Sequence, residues 1–241
     1  MKKLLLVCIL VVLTACSKDA PSPRLTKFNY TAHAGEYVPF EGENLDNETW
    51  VSKYPFVASV TNNYMIANKV GKAEILNDQW TVYLTVKPRY SIFEKVANEQ
   101  ILSIPFGSHL GDVQDYMRFC DCGAPNYYNN YKYVGYQLYD NIAGAVVFCI
   151  GSDNKMEYYA LSVNPTKSDL LKKWLDERYT TIPPELGYSE AYAHYKKNGT
   201  PDMVVYISRD SSSITVMFMP VAVKSGSNTI IEEINKIFRN Y

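Results

Sequence analysis

Short segments with alternating apolar and polar residues follow one another between residues 24 and 90. In the clearest of them, Val82, Leu84 and Val86 alternate with Thr and Tyr, which is the two-residue period of a strand that buries one face. Clusters of Gly, Asn and Asp separate the segments, and none of them has a helical period. The pattern predicts an all-β unit over 24–90 that ends near Pro88, because proline interrupts a strand.

Helical and strand-like patterns alternate after residue 90. Ser108, Thr166 with Asp169, and Ser227 are the expected N-terminal caps of three helices. The predicted helices lie at 108–118, within 165–179 and at 228–239. The predicted strands lie at 131–139, 144–151, 155–163, 188–197, 202–210 and 213–221.

A helix followed by three strands therefore occurs twice in this part of the chain. We expect an α+β domain over 91–241 that contains two repeats, at about 101–164 and 165–241. Each helix would lie on one face of an antiparallel sheet, and two units side by side would form one longer sheet with the helices on its inner face.

The N-terminus has the pattern of an export signal. Lys2 and Lys3 precede a short apolar run that ends at Leu13, and this run is too short to span a membrane permanently. The residues that follow, L-T-A-C at 13–16, resemble the bacterial lipobox. The resemblance implies cleavage after residue 15 and lipid attachment to Cys16, so that the chain is anchored in a bacterial cell envelope, at the outer membrane.

Residues 16–23 form a polar segment with two prolines, which predicts an extended tether between the lipid and the first domain. An ordinary secretory signal with an incidental Cys16, or an uncleaved anchor, is the alternative to lipidation. Several acyl chains would hold the protein stably, because each buried methylene contributes about 0.8 kcal/mol.

The 24–90 unit resembles the bacterial immunoglobulin-like domain of group 2. The similarity lies in a Trp and Ser before a strand, an Ile-Ala strand, and a Gly-x-Ala that opens the next strand, although Tyr64 and Met65 stand where the family often has glycine. The corresponding segments here are Trp50-Val51-Ser52, Phe56-Val57-Ala58-Ser59-Val60, Ile66-Ala67, Gly71-Lys72-Ala73 and Leu84-Thr85-Val86. The resemblance implies an immunoglobulin-like sandwich that serves as a spacer or binding module.

The repeats resemble the tandem helix-plus-sheet arrangement of the β-lactamase inhibitor protein type. The element order over 101–220 and the entry Phe106-Gly107-Ser108, which leads into Asp112-Val113, are similar. The resemblance implies a fold for this region and assigns no inhibitory residue.

The amino-acid composition argues against a nucleic-acid-binding protein and is typical of an exported β-rich domain. The formal charge of −1 becomes −3 without Lys2 and Lys3, so we do not expect a nucleic-acid partner, because binding nucleic acid usually requires a clustered basic surface. The chain has 21 Tyr but only 9 Phe. Tyrosine suits a pleated, half-buried surface whose hydroxyl groups stay hydrated, as in many exported β-rich domains.

The sequence does not decide whether the remaining cysteines are free thiols, form a disulfide or bind a metal. Once Cys8 leaves with the leader and Cys16 carries lipid, Cys120, Cys122 and Cys149 remain. They can be inert thiols, or Cys122 or Cys120 can form a disulfide with Cys149, or they can take part in redox or metal chemistry. A tetrahedral metal site would need further ligands, and none is visible, so no metal or cofactor is expected.

No catalytic motif stands out. His33, His109 and His194 are far apart in sequence, and no G-x-S-x-G, H-E-x-x-H or P-loop pattern occurs. The aspartates Asp140, Asp153 and Asp210 fall in predicted turns. A triad is recognised by geometry rather than by spacing, so a hydrolase with an unrecognised site stays open as an alternative.

One aromatic cluster is unusual, the segment N-Y-Y-N-N-Y-K-Y-V-G-Y-Q-L-Y-D at 126–140. Exposed Tyr and Asn offer flat apolar area and adaptable hydrogen bonds, as contact surfaces for proteins and sugars require. The contact candidates are Tyr127, Tyr128, Asn129 and Tyr131. Alternatively, the strand tyrosines line the faces of the sheet and the loop tyrosines only cover the edge of the core.

The sequence therefore favours a non-catalytic, lipid-anchored envelope protein that binds a protein or a glycan. An inhibitor or assembly partner of an envelope enzyme or complex is the second hypothesis, because of the repeat layout alone.

Overall fold

The chain has one apolar core before residues 88–90 and two after them. The computed structural model describes residues 21–130, 132–184, 189–221 and 228–241. Cys16, Tyr131 and Ser227 lie outside the described residues, so the expected lipid anchor, one contact candidate and one helix cap have no structural description. None of the described helices is long and apolar enough to cross a membrane.

The N-terminal region, residues 24–87, is a β-sandwich. Its strands are β1 (Arg24–Leu25), β2 (Asn29–His33), β3 (Tyr37–Pro39), β4 (Gly42–Glu43), β5 (Val51–Ser52), β6 (Ala58–Thr61), β7 (Tyr64–Ala67), β8 (Gly71–Leu76) and β9 (Thr81–Lys87). One sheet has the order β2-β9-β8-β5 and the other β3-β7-β6, while β1 pairs with β4. The pairing of β2 with β9 is parallel.

The alternation of apolar and polar residues along the strands explains the sandwich, because every second residue of a strand points into a single core. Val82, Leu84 and Val86 on β9 are all buried, as the two-residue period predicts. The largest core side chain is Trp50, whose ring stacks on Phe40 at a centroid distance of 4.2 Å. Burying these aromatic side chains fixes how the two sheets face each other.

The C-terminal region, residues 91–241, is built around one long antiparallel sheet. Its helices are a 3-10 helix (Val96–Ser103), a 3-10 turn (Pro165–Lys167), α1 (Leu110–Met117), α2 (Ser168–Asp176) and α3 (Asn228–Phe238). Its strands are β10 (Asn126–Tyr128), β11 (Tyr133–Gln137), β12 (Ala143–Ile150), β13 (Met156–Val163), β14 (Thr180–Ile182), β15 (Glu190–Tyr195), β16 (Pro201–Arg209) and β17 (Ile214–Pro220). The sheet order is β10-β11-β12-β13-β17-β16-β15-β14, so β13 and β17 meet at the centre.

Helices cover both faces of this sheet. Val113 of α1 and Trp174 of α2 pack on one face, which we call the α1 face. Ile234 and Ile237 of α3 pack on the other, which we call the α3 face. The central strands β12, β13 and β17 are buried on both sides, and for this reason they are continuous apolar runs rather than alternating ones.

The predicted strands and the predicted helices 108–118 and 228–239 agree with the observed elements to within two residues at each end, whereas two caps were predicted wrongly. The Ser108 hydroxyl donates to the Pro105 carbonyl at 2.7 Å, and the N-cap position of α1 is His109. The Thr166–Asp169 capping box does not form. Instead the Asn164 side chain accepts from the Thr166 backbone N–H at 3.0 Å, which inserts a 3-10 turn before α2 begins.

The segment between the two regions is held by the end of α2. Glu177 is only 7% exposed, and its carboxylate accepts from the backbone N–H of Arg89 at 3.0 and 3.1 Å and from that of Tyr90 at 3.2 Å. The Arg178 guanidinium donates to the Tyr90 carbonyl at 3.3 Å. Lys69 donates from the N-terminal region to the Asp176 carbonyl at 2.6 Å, so that a cation satisfies the C-terminal end of a helix.

Candidate functional site

The hairpin formed by β10 and β11 does not present the contact candidates Tyr127 and Tyr128 on one surface. Tyr127 of β10 is opposite Val134 and Tyr128 is opposite Tyr133 in the antiparallel register. Neighbouring residues of a strand point to opposite faces, and Val134 and Tyr133 belong to the cores of the α1 face and the α3 face respectively. Tyr127 therefore lies on the α1 face and Tyr128 on the α3 face.

Tyr128 and Asn129 have structural roles. The Tyr128 ring contacts the Tyr241 ring edge-on at a centroid distance of 6.5 Å. Asn129 and Asn130 have φ angles of 48° and 54°, in the left-handed region that Asn tolerates better than most residues. The Lys132 N–H closes this turn on the Asn129 carbonyl at 3.2 Å. The asparagines are therefore explained by the hairpin turn itself.

Tyr127 stands beside a surface pocket. It is 41% exposed, and its hydroxyl accepts from the Gln114 side chain of α1 at 2.8 Å. The pocket, which we call the tyrosine pocket, has a volume of about 430 Å³. It is lined by Gln114, Met117, Arg118, Cys120, Cys122, Gly123, Ala124, Pro125 and Tyr136.

The tyrosine pocket combines an apolar floor with polar groups at its rim. Tyr136 and Met117 are buried beneath it, and burial raises the pKa of the Tyr136 hydroxyl well above its ordinary value. Tyr139 is 56% exposed, and its hydroxyl lies against Gly123. A pocket of this size, lined by an amide and a guanidinium and with the exposed rings of Tyr127 and Tyr139 beside its lining residues, suits a small polar ligand or a single sugar residue.

The three described thiols are all free. Cys120 and Cys122 pack beside the α1-face core, whereas Cys149 is buried in the α3-face core. The disulfide considered between Cys122 and Cys149 does not form in this structure, because the sheet lies between them. Burial raises the pKa of Cys120 and of Cys149 to about 11, so both are protonated near neutral pH.

A second pocket lies where the two regions meet, and sequence reasoning missed it. This junction pocket, about 590 Å³ in volume, is lined by Val70, Leu102, Phe106, Arg178, Tyr179, His194, Asp202 and Met203. His194 Nδ1 and Asp202 Oδ1 are 2.7 Å apart. The two residues flank the turn that joins β15 to β16, where His194 is opposite Met203 in the register.

The remaining polar groups of the junction pocket limit its chemistry. His194 Nε2 faces the Tyr54 hydroxyl at 3.4 Å, and that hydroxyl donates to the Tyr195 carbonyl at 2.6 Å. Tyr179 is 7% exposed, burial raises the pKa of its hydroxyl, and this hydroxyl has no hydrogen bond to another described residue. Among the described residues that line the pocket there is no Ser, Thr or Cys nucleophile.

Within the described part of the chain, no group of three or more His, Cys, Asp or Glu side chains is arranged to hold a metal ion. His33 and His109 lie away from His194: His33 is at the end of β2, where its ring contacts the Lys87 carbonyl, and His109 is next to α1. Asp140, Asp153 and Asp210 accept backbone N–H groups within their turns, as predicted for turn aspartates.

No protein-family model, curated protein or solved structure matches the chain. The functional argument for this chain therefore rests on its own residues and on the geometry of the tyrosine pocket and the junction pocket.

Proposed function

We propose that the chain is a non-catalytic, lipid-anchored protein of a bacterial cell envelope that binds a glycan, or alternatively a protein, at the tyrosine pocket. The L-T-A-C sequence at 13–16 and the apolar leader before it support export and lipidation of Cys16. Two or more acyl chains on Cys16 make attachment to the membrane stable. Residues 16–23 are the extended tether that lets the first domain stand away from the membrane surface.

The N-terminal region acts in this proposal as a spacer of the group 2 bacterial immunoglobulin-like kind. The burial of Trp50, Ala58, Ala67 and Ala73 supports this assignment, since these residues of the quoted segments lie in one core. The C-terminal region acts as the binding domain and consists of two helix-plus-meander repeats. The symmetric strand order around β13 and β17 supports the repeat assignment.

The observation that carries the binding proposal is the position of Tyr127. Its half-exposed side chain is hydrogen-bonded to Gln114, which together with Arg118 lines a pocket with an apolar floor. Aromatic side chains and arginine supply much of the energy at contact sites, because they combine apolar area with directed hydrogen bonds.

A glycan array probed with residues 17–241 tests the proposal. We expect wild-type protein to be retained on specific glycans and the Tyr127→Ala variant to lose at least about tenfold in affinity, about 1.4 kcal/mol. Tyr83→Ala is the matched control, since Tyr83 is 49% exposed on β9 of the N-terminal region. Equal losses in both variants, or a loss of fold stability in Tyr127→Ala that matches its loss of binding, would contradict the assignment of this pocket.

A protein partner is the other outcome of this proposal. If no glycan retains the protein but cross-linking in membranes captures one partner at stoichiometric yield in a Tyr127-dependent manner, the glycan assignment is wrong. The chain is then an inhibitor or assembly partner of an envelope complex.

A hydrolase at the junction pocket is the second candidate function, favoured by the His194–Asp202 pair at 2.7 Å. In such a site the imidazole would activate water, because Asp202 orients it through Nδ1. Hydrolysis of chromogenic esters or glycosides that disappears in His194→Ala but persists in Tyr127→Ala would support this candidate. No hydrolysis above the rate of the His194→Ala variant would reject it.

A further inference from the structure

Cys120 and Cys122 are held on one turn at the end of α1. The Cys120 thiol points at the Tyr116 carbonyl, with Sγ and O 3.9 Å apart, and the Cys122 thiol points at the Met117 carbonyl at 3.4 Å. The backbone N–H of Cys122 also donates to the Cys120 carbonyl at 3.1 Å. Both sulfurs therefore lie beside carbonyl groups of two consecutive residues at the same end of α1.

The tyrosine pocket is lined by a methionine as well as by these two cysteines. Cys120, Cys122 and Met117 all line it. The thiols are half-buried, and their bonds to carbonyl groups are weak because a thiol is a poor donor. A disulfide between them is disfavoured, since one intervening residue keeps the two sulfurs from the usual bridge geometry.

Hard donors near this pocket are engaged elsewhere. The Asp121 carboxylate pairs with Lys95 at 2.8 Å, and Asp115 pairs with Arg118 at 3.1 Å. The cysteines and the methionine therefore offer a metal ion only soft sulfur ligands, while the Arg118 side chain lines the same pocket and supplies a positive charge.

Two cysteine thiolates and a methionine thioether suit some metal ions better than others. Structural zinc requires four ligands in a tetrahedron, and the described residues hold no group of three His, Cys, Asp or Glu side chains suited to a metal. Thiolate and thioether ligands select Cu(I), a closed-shell ion that is satisfied by two thiolates with or without a third sulfur. A pair of cysteines and a methionine is thus sufficient for Cu(I) and insufficient for Zn²⁺.

We propose that Cys120 and Cys122, with Met117 as a third sulfur ligand, form a Cu(I) binding site in the tyrosine pocket. Cu(I) displaces the two thiol protons and releases them to solvent, with no change in oxidation state. The resulting bis-thiolate copper centre carries one negative charge.

Competition against a Cu(I)-specific chelator tests the site. The full mature chain is mixed anaerobically with Cu(I) bound to bathocuproine disulfonate, and the loss of the coloured chelator complex measures transfer to the protein. We expect one Cu(I) per chain, and we expect Cys120→Ser and Cys122→Ser each to weaken binding by about 100-fold or more. The Met117→Leu variant, which keeps the apolar volume, weakens binding by about three- to tenfold.

Cys149→Ser is the matched control, because Cys149 is a free thiol buried on the other face of the sheet. It leaves Cu(I) affinity unchanged, and far-UV circular dichroism confirms that all variants are folded. The proposal is overturned if wild-type protein takes no Cu(I) from the chelator, if Cys149→Ser weakens binding as much as Cys120→Ser, or if Zn²⁺ binds tightly through the same two cysteines.

The tests of copper binding and of the proposed glycan or protein contact are independent. The array measurement depends on Tyr127 and uses metal-free protein, whereas the chelator measurement depends on the two thiols. Failure of either one leaves the other unaffected.

Discussion

Replacing Glu177 by Ala tests how the two regions of the chain are held together. Its buried carboxylate accepts from the backbone N–H groups of Arg89 and Tyr90 at 3.0 to 3.2 Å. It also lies 3.6 Å from the Arg178 guanidinium, whose side chain is itself mostly buried. Alanine leaves two N–H donors and one cation without this acceptor, in a place that water reaches poorly.

The expected loss in the free energy of unfolding follows from these contacts. A hydrogen bond to a charged group contributes about 1.5 to 3 kcal/mol, and breaking a buried ion pair by removing one partner costs about 3 to 5 kcal/mol. The two effects share one carboxylate and do not add, so we expect Glu177→Ala to lower the free energy of unfolding by about 3 to 4 kcal/mol. Glu177→Gln keeps one acceptor oxygen and should cost about half as much.

Urea denaturation followed by tryptophan fluorescence measures this effect. With a slope of about 2 to 3 kcal/mol per molar urea, the expected loss lowers the midpoint by about 1 to 2 M. Glu74→Ala is the control, because Glu74 makes surface ion pairs with Lys53 at 3.1 Å and with Lys197 of the C-terminal region at 4.0 Å, and such pairs contribute less than about 1 kcal/mol. A Glu177→Ala midpoint equal to that of Glu74→Ala would refute the assigned role.

Three further outcomes follow from the packing. Gly135→Ala should destabilise the chain by about 1 to 3 kcal/mol, because the added methyl would overlap the Tyr241 hydroxyl. The cost should largely disappear in a Tyr241→Ala background, and equal costs in both backgrounds would exclude that contact. Trp174→Ala should cost about 3 to 5 kcal/mol in the same urea assay, since its ring is buried against Phe218, and a loss below about 1 kcal/mol would contradict its place in the core. With Cys120 as the sole thiol, alkylation at pH 8 should be about 100 times slower than that of a thiol of pKa 9, because a pKa of about 11 leaves about 0.1% thiolate. The rate should rise about tenfold per pH unit up to the pKa, and mass spectrometry measures it; a rate equal to that of free cysteine would contradict burial of the thiol.

The regular elements could be predicted because their patterns are long and periodic. The strands β16 and β17 and the helix α3 lie within two residues of their expected ends. The short edge strands β10 and β14, each of three residues, carry too few positions to show a period and were missed.

Which face of the C-terminal sheet each helix covers could not be predicted from the sequence. An amphipathic stripe indicates that a helix buries one side, but not which face of a sheet it covers. The strands β12 and β17 are almost entirely apolar and are buried on both faces, but such a run does not indicate which helix covers which face.

The site residues that were missed depend on register and on long-range contact. The strands at 188–197 and 202–210, and so the turn between them, were predicted, but β15 shifts register between His194 and Tyr195. Such an irregularity cannot be derived from the turn residues alone, so the approach of His194 to Asp202 was not predicted. Glu177 looked like one more charge at the end of a helix, and only the fold brings it to Arg89, 88 residues earlier.

The contact site predicted in the tyrosine cluster stays a prediction. Tyr127 is hydrogen-bonded to a residue that lines a pocket, whereas the two-residue period of β10 places Tyr128 on the opposite face of the sheet. The loop residues 129–130 take left-handed backbone angles, so the composition of the turn reflects its conformation as much as any ligand.

The central claim, that the tyrosine pocket is the contact site, is tested most directly by one dissociation constant compared across three proteins. Biolayer interferometry on the glycan best retained in the array compares wild type, Tyr127→Ala and Tyr83→Ala at equal melting temperature. We expect Kd to rise at least about tenfold for Tyr127→Ala and to stay within about twofold for Tyr83→Ala. An unchanged Kd for Tyr127→Ala, or an equal rise in both variants, would contradict the assignment of the contact site.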